Sequence, residues 1–104
     1  MTSEVQAQAQ YYVVFMTTRF NSLDAARATA AEQMAEHLSR SRELHAQGVL
    51  LMAGAFLDRP DEPVQTMGVL ASRAAAEDYA RQDPFVRAGM VSEWVVREWA
   101  NMLA

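Results

Sequence analysis

Cysteine is absent from this 104-residue chain. Its absence removes disulfides, thiolate nucleophiles, zinc knuckles and iron–sulfur ligation together, and it agrees with a reducing compartment. Lysine is absent as well. All 9 basic residues are arginines, so no side-chain amine offers Schiff-base chemistry. Basic runs are missing and the formal net charge is -4, which makes the chain a poor nucleic-acid binder. No apolar run approaches the roughly 18 to 20 residues that a membrane-spanning helix needs. The longest, Gly48–Leu57, has the length of a buried strand. The N-terminus carries neither the basic region nor the apolar region of a signal peptide, so the expected location is cytoplasmic. Neither a G-x-S-x-G elbow, an H-E-x-x-H helix nor a Gly-rich phosphate loop occurs.

What is plentiful is apolar surface. Hydrophobic residues make up 51% of the chain, too many for a disordered segment and ample for a real core. Residues 1–10 are polar and read as a loose arm, leaving 11–104 as a single domain. Tyr11–Thr17 is an aromatic and β-branched run without polar alternation, which predicts a strand buried on both faces. Asn21 and Ser22 are N-cap types, and from Asp24 to Gln47 the chain contains no Gly or Pro. Ala26, Ala30, Met34, Leu38 and Ser41 recur at helical spacing. One long amphipathic helix is expected here, with Gly48 as its C′ residue.

Val49–Phe56 reads as a second strand, Asp58–Pro63 as a loop and Thr66–Ala71 as a third strand. Ser72 predicts the start of a helix over Arg73–Gln82. The pair Asp83-Pro84 ends it, because the residue before proline is driven toward an extended conformation. A short turn over Phe85–Gly89 leads to a last strand, Val91–Trp99. The order β-α-β-β-α-β is that of the ferredoxin-like α+β fold, with a four-stranded antiparallel sheet and both helices on one face.

Two helices cover only one side of such a sheet. Yet Tyr11, Val13 and Phe15 point one way while Tyr12, Val14 and Met16 point the other. In the second strand, Val49, Leu51 and Ala53 stand opposite Leu50, Met52 and Phe56. A large open apolar face marks an interaction surface, so a homodimer through that face is expected.

Few residues are left to carry chemistry. His37 and His45 are the only histidines, and both fall on the long helix. His37 lies at the edge of the buried stripe, three residues after Met34 and four before Ser41. His45 lies where a protonated imidazole suits the helix C-terminus. Asp83 admits two uses: an Asx-turn that ends a helix, or a carboxylate that orients an imidazole for proton transfer. Tyr79, Phe85, Trp94 and Trp99 form an aromatic group near the C-terminal part. Core packing is its plain use, and an apolar flat ligand would be its natural guest.

These residues carry a family resemblance. Tyr12–Phe15, His37-Leu38, Gly48–Gly54 and the string Asp83–Gly89 resemble the YciI-like (YCII-related) proteins, from Tyr11 to Trp99. The resemblance implies the dimeric α/β-barrel form of the ferredoxin-like fold. It also implies His37 and Asp83 as a catalytic pair in a cleft between helices and sheet. Members with assigned chemistry act mainly on small aromatic or quinoid metabolites, among them a dehydrochlorinase of chlorinated hydroxyquinols. The family often carries Arg one helical turn before its His, where this chain has Met34; an anionic substrate loses a fixed cation there. Met52–Leu57, Asp61–Pro63 and Met67–Leu70 also resemble the small YciI-like proteins of indole-3-acetate degradation clusters.

The expectation is a cofactor-free enzyme or accessory protein of aromatic catabolism, indole-3-acetate breakdown included. His37 and Asp83 would perform acid–base elimination, isomerisation or tautomerisation, with Phe85, Trp94 and Ser41 contacting a small aromatic molecule. No metal, nucleic acid or membrane enters this reading. The alternative is a non-catalytic binding protein for a reactive aromatic intermediate.

Overall fold

The structure, a computed structural model, describes residues 10–103. Its elements are β1 (Gln10–Thr18), α1 (Leu23–Thr29), α2 (Ala31–Ala46), β2 (Leu50–Ala55), β3 (Gln65–Leu70), α3 (Arg73–Gln82), α4 (Pro84–Arg87) and β4 (Val91–Ala100). The sheet order is β2-β3-β1-β4 with every neighbouring pair antiparallel, the ferredoxin-like α+β arrangement. The expected terminal arm lies outside the described residues except for Gln10, which already pairs with Ala100 in the sheet. Among the described residues no helix is long and apolar enough to cross a membrane.

Local signals set most boundaries. Ser22 Oγ accepts the Ala25 N–H at 2.9 Å and Ser72 Oγ accepts the Ala75 N–H at 3.1 Å, so both serines cap helices as their type favours. At the end of α2, Gly48 takes φ +75°. Its N–H reaches the His45 carbonyl while the Val49 N–H reaches that of Leu44, the paired bonds of a Schellman motif.

Two expectations need correction. The long helix is broken at Ala30, whose φ of -140° and ψ of 44° leave the helical region. The break needs no Gly or Pro. Thr29 Oγ1 donates to the Ala25 carbonyl at 2.7 Å, a back-bond that bends helices, and Ala30 is buried where α1 turns into α2. The second correction concerns β2, where the register slips between Leu50 and Met52. The bulge at Leu51 moves Met52 to the face opposite Leu50, and Ala53 joins the helix side instead.

The core lies between the sheet and α3. Val14, Met16, Leu50 and Leu70 pack there against Ala76, Tyr79 and Ala80. In contrast, no residue of α2 is fully buried. Its inner stripe of Met34, His37 and Ser41 borders an internal cavity rather than a filled core. The opposite sheet face carries Tyr11, Val13, Phe15, Leu51, Met52, Met67, Val69 and Trp99 around an open apolar hollow.

Candidate active site

His37 and Asp83 meet. The first comes from the middle of α2 and the second from the joint between α3 and α4, 46 residues later. The His37 Nδ1–H donates to Asp83 Oδ1 at 2.5 Å, and Asp83 Oδ2 accepts the Phe85 N–H at 3.0 Å. One carboxylate therefore performs both uses that an Asp-Pro pair allows. One oxygen caps the short helix α4, and the other faces the imidazole. A carboxylate only accepts hydrogen bonds, so Nδ1 of His37 is the donor, and in the neutral imidazole the lone pair then lies on Nε2. Among the described residues Nε2 has no hydrogen-bond partner.

Burial separates the two partners. Asp83 is only 1% exposed, while the His37 side chain keeps 20% exposure at the wall of the cavity. The cavity measures about 290 Å³ and lies between α1, α2 and the sheet. Met16, Phe20, Met34, Leu38, Val64 and Phe85 give it apolar walls. Phe85 packs tilted against the His37 ring at 5.3 Å between centroids, and edge-on against Phe20 at 5.8 Å. Such aromatic contacts help to hold the imidazole in place beside its bond to Asp83.

Ser41 lines the same cavity one helical turn after His37. Trp94 does not. Its register with Met16 sets it on the helix side of the sheet, but edge strand β4 lies beneath α3 rather than α2. There the ring packs on the core with the Arg81 guanidinium 5.9 Å from its centre. His45 is also accounted for outside the site, since its Nδ1–H donates to the Leu50 carbonyl at 2.8 Å. Met34 stands at the cavity wall as an apolar group, and the cation that reaches this space is Arg27 of α1. That guanidinium pairs with Asp24 at 3.2 Å on an exposed surface, so solvent screens it.

Tyr79, a member of the C-terminal aromatic group, also lines the cavity, although aromatic character alone does not single it out from that group. It lies four residues before Asp83 on α3, and its hydroxyl is 3.1 Å from Ser41 Oγ at the cavity wall. Burial pushes this hydroxyl above the ordinary tyrosine value, with the nearby Asp83 charge adding to the rise and Ser41 and Arg40 opposing it. Its isolation on an Ala-rich helix, one turn before Asp83, is the signal that marks it.

A family model, the YCII-related domain, matches residues 10–100. The chain belongs to the YCII-related family. Within it, a Haemophilus influenzae protein described as uncharacterized is 35% identical over 100 residues, covering 88% of this chain and 98% of its own length. The YCII-related fold is shared with 5-chloro-2-hydroxyhydroquinone dehydrochlorinase from Burkholderia phenoliruptrix, solved in complex with 2,5-dihydroxybenzoquinone. The TM-score is 0.61 at 18% identity, covering 86% of this chain and 92% of that one. A Nitrosomonas europaea protein of unknown function is similar at TM-score 0.52 and 12% identity, covering 95% and 94%.

Proposed function

We propose that this YCII-related protein is a small acid–base enzyme of aromatic-compound catabolism, working without a cofactor on oxidised aromatic molecules. The observation that carries the reading is the His37–Asp83 pair at the wall of an apolar cavity. With Nδ1 committed to Asp83, Nε2 of His37 takes a proton from a ring carbon or hydroxyl of the substrate. The imidazolium that forms is stabilised by the buried carboxylate, which also keeps the ring in the productive orientation. Return of the proton to a different atom completes an isomerisation or tautomerisation. Departure of a leaving group from the carbanion instead completes an elimination.

Fold likeness to a dehydrochlorinase holding a flat quinone supports this substrate class. The resemblance of Met52–Leu57 to proteins of indole-3-acetate degradation supports an indolic member of it. Phe85 and Ser41, which both line the cavity, are the contacts proposed for such a ring.

A second copy of this chain is the occupant proposed for the open sheet face. Met52 is 63% exposed and Trp99 51% exposed there, beside Val95 at 44%. An apolar patch of this kind is characteristic of an interface. Face-to-face pairing of two such sheets would cover it without altering the cavity, which lies on the helix side.

Turnover of hydroxyquinols, hydroquinones and indolic acids, followed by absorbance, tests the enzyme reading. In His37→Gln the rate is expected to fall by about 10²–10⁴, the usual contribution of a positioned acid–base group. Binding of 2,5-dihydroxybenzoquinone is expected to persist in that variant. Equal turnover in His37→Gln removes His37 from the chemistry. Tight ring binding with no turnover of any compound favours the binding-protein alternative.

A further inference from the structure

The cavity holds a second polar feature that the His37–Asp83 chemistry does not use. Ser41 Oγ and the Tyr79 hydroxyl lie 3.1 Å apart, and both line the cavity. Each hydroxyl carries one O–H donor. Whichever of them donates within the pair, a single hydrogen bond consumes one O–H and leaves the other. Among the described residues neither hydroxyl has another hydrogen-bond partner. A free donor on a largely apolar wall is a ready partner for a ligand's acceptor, because a buried polar group without a partner is costly.

The pair is held in place on three sides. Arg40 donates to the Tyr79 carbonyl at 3.0 Å and lays its guanidinium over the Tyr79 ring at 5.3 Å from the centre. Gly68 of β3 meets the other side so closely that a Cβ there would lie 3.3 Å from Tyr79 Cε2. Ser41 is fixed by α2 itself. The Tyr79 hydroxyl also keeps its proton above the ordinary tyrosine range, so the pair stays neutral wherever His37 works.

We infer that the Ser41–Tyr79 hydroxyl pair is a neutral oxygen-binding subsite, which grips a hydroxyl or carbonyl oxygen on the side of a substrate ring away from the atom that His37 addresses. The spacing fits. Ser41 follows His37 by four residues on one helix, so both side chains leave the same face of α2 and line the one cavity, where a single small ring can meet both. A ring bound flat against Phe85 can then present one edge to Nε2 and an oxygen on the opposite edge to the hydroxyls. This inference rests on the aromatic reading above and deepens it: the substrate is an oxygenated ring rather than a plain apolar one.

Toluene and p-cresol test it, since they share one ring and differ by a single hydroxyl. Their binding to the full chain is measured by titration calorimetry, for the natural sequence and for the double variant Ser41→Ala/Tyr79→Phe. The natural protein is expected to prefer p-cresol by about three- to tenfold, the range of one neutral hydrogen bond. In the double variant p-cresol weakens by that factor, toluene is unchanged, and the preference disappears. A preference that survives in the double variant, or a natural protein that binds both compounds equally, overturns the subsite while leaving the aromatic cavity in place. If the natural protein binds neither compound, the aromatic reading fails and the subsite fails with it.

Discussion

Asp83 draws two jobs from one carboxylate. Its side chain accepts the Phe85 N–H at the start of α4 and the Nδ1–H of His37 at the same time. The first use was legible from Asp-Pro alone, because proline forces the preceding residue out of the helix and an Asx-turn follows. The second was not, because contact across 46 residues depends on how α2 and α3 pack on one sheet. Trp94 illustrates the same limit from the other side. It is aromatic and near Phe85 in the chain, yet the strand register carries it under α3 and away from the cavity. Tyr79 gives the site a pH dependence of its own. Burial, with the Asp83 charge adding, raises its hydroxyl above the ordinary value of 10.0. The folded chain therefore holds this proton more tightly than the unfolded chain does. The associated stability is complete below about pH 10 and is lost as pH climbs through the folded value. Urea midpoints taken across that range are expected to fall less steeply in Tyr79→Phe than in the natural protein.

Caps and turns were readable at the scale of elements, while tertiary adjustments were not. Ser22, Ser72 and Gly48 end or begin helices for reasons of local chemistry, and each does so in the structure. The break at Ala30 follows Thr29, whose hydroxyl bonds back to the Ala25 carbonyl in a way that favours bending, which no pattern of apolar spacing encodes. The bulge at Leu51 escapes for a related reason. An unbroken apolar run such as Leu50–Ala55 fits either register, so one extra residue changes which side chains face the helices. Elements also decide how tightly Tyr79 is held. At Gly68 an added methyl group would press on the buried Tyr79 ring at 3.3 Å from Cε2, while meeting Leu50 Cδ1 at an ordinary contact distance of 3.5 Å. Gly68→Ala is expected to lower stability by about 1–3 kcal/mol, the usual cost of overpacking. Chemical denaturation reads that loss directly.

The whole molecule divides its work between the two faces of one sheet. On the helix side α3 closes a core, and α2 stands far enough off to leave the cavity. On the other side the apolar excess noticed in the composition lies open around Tyr11, Phe15, Met52 and Trp99. The proposed pairing of two copies across that face has a direct consequence for mass in solution. Light scattering behind a sizing column is expected to give a dimer for the natural chain and a monomer for Met52→Glu/Trp99→Glu. A monomeric natural chain would remove the second copy from the account without touching the active site.

Proton transfer by His37 is read out by hydrogen exchange at the ring of a bound quinone. The probe is 2,5-dihydroxybenzoquinone in deuterium oxide, with its ring protons followed by nuclear magnetic resonance. The natural protein is expected to speed their exchange for deuterium, His37→Gln to lose that acceleration, and Asp83→Asn to lose most of it. Exchange that is equally fast with the natural protein and with His37→Gln would mean that His37 moves no proton.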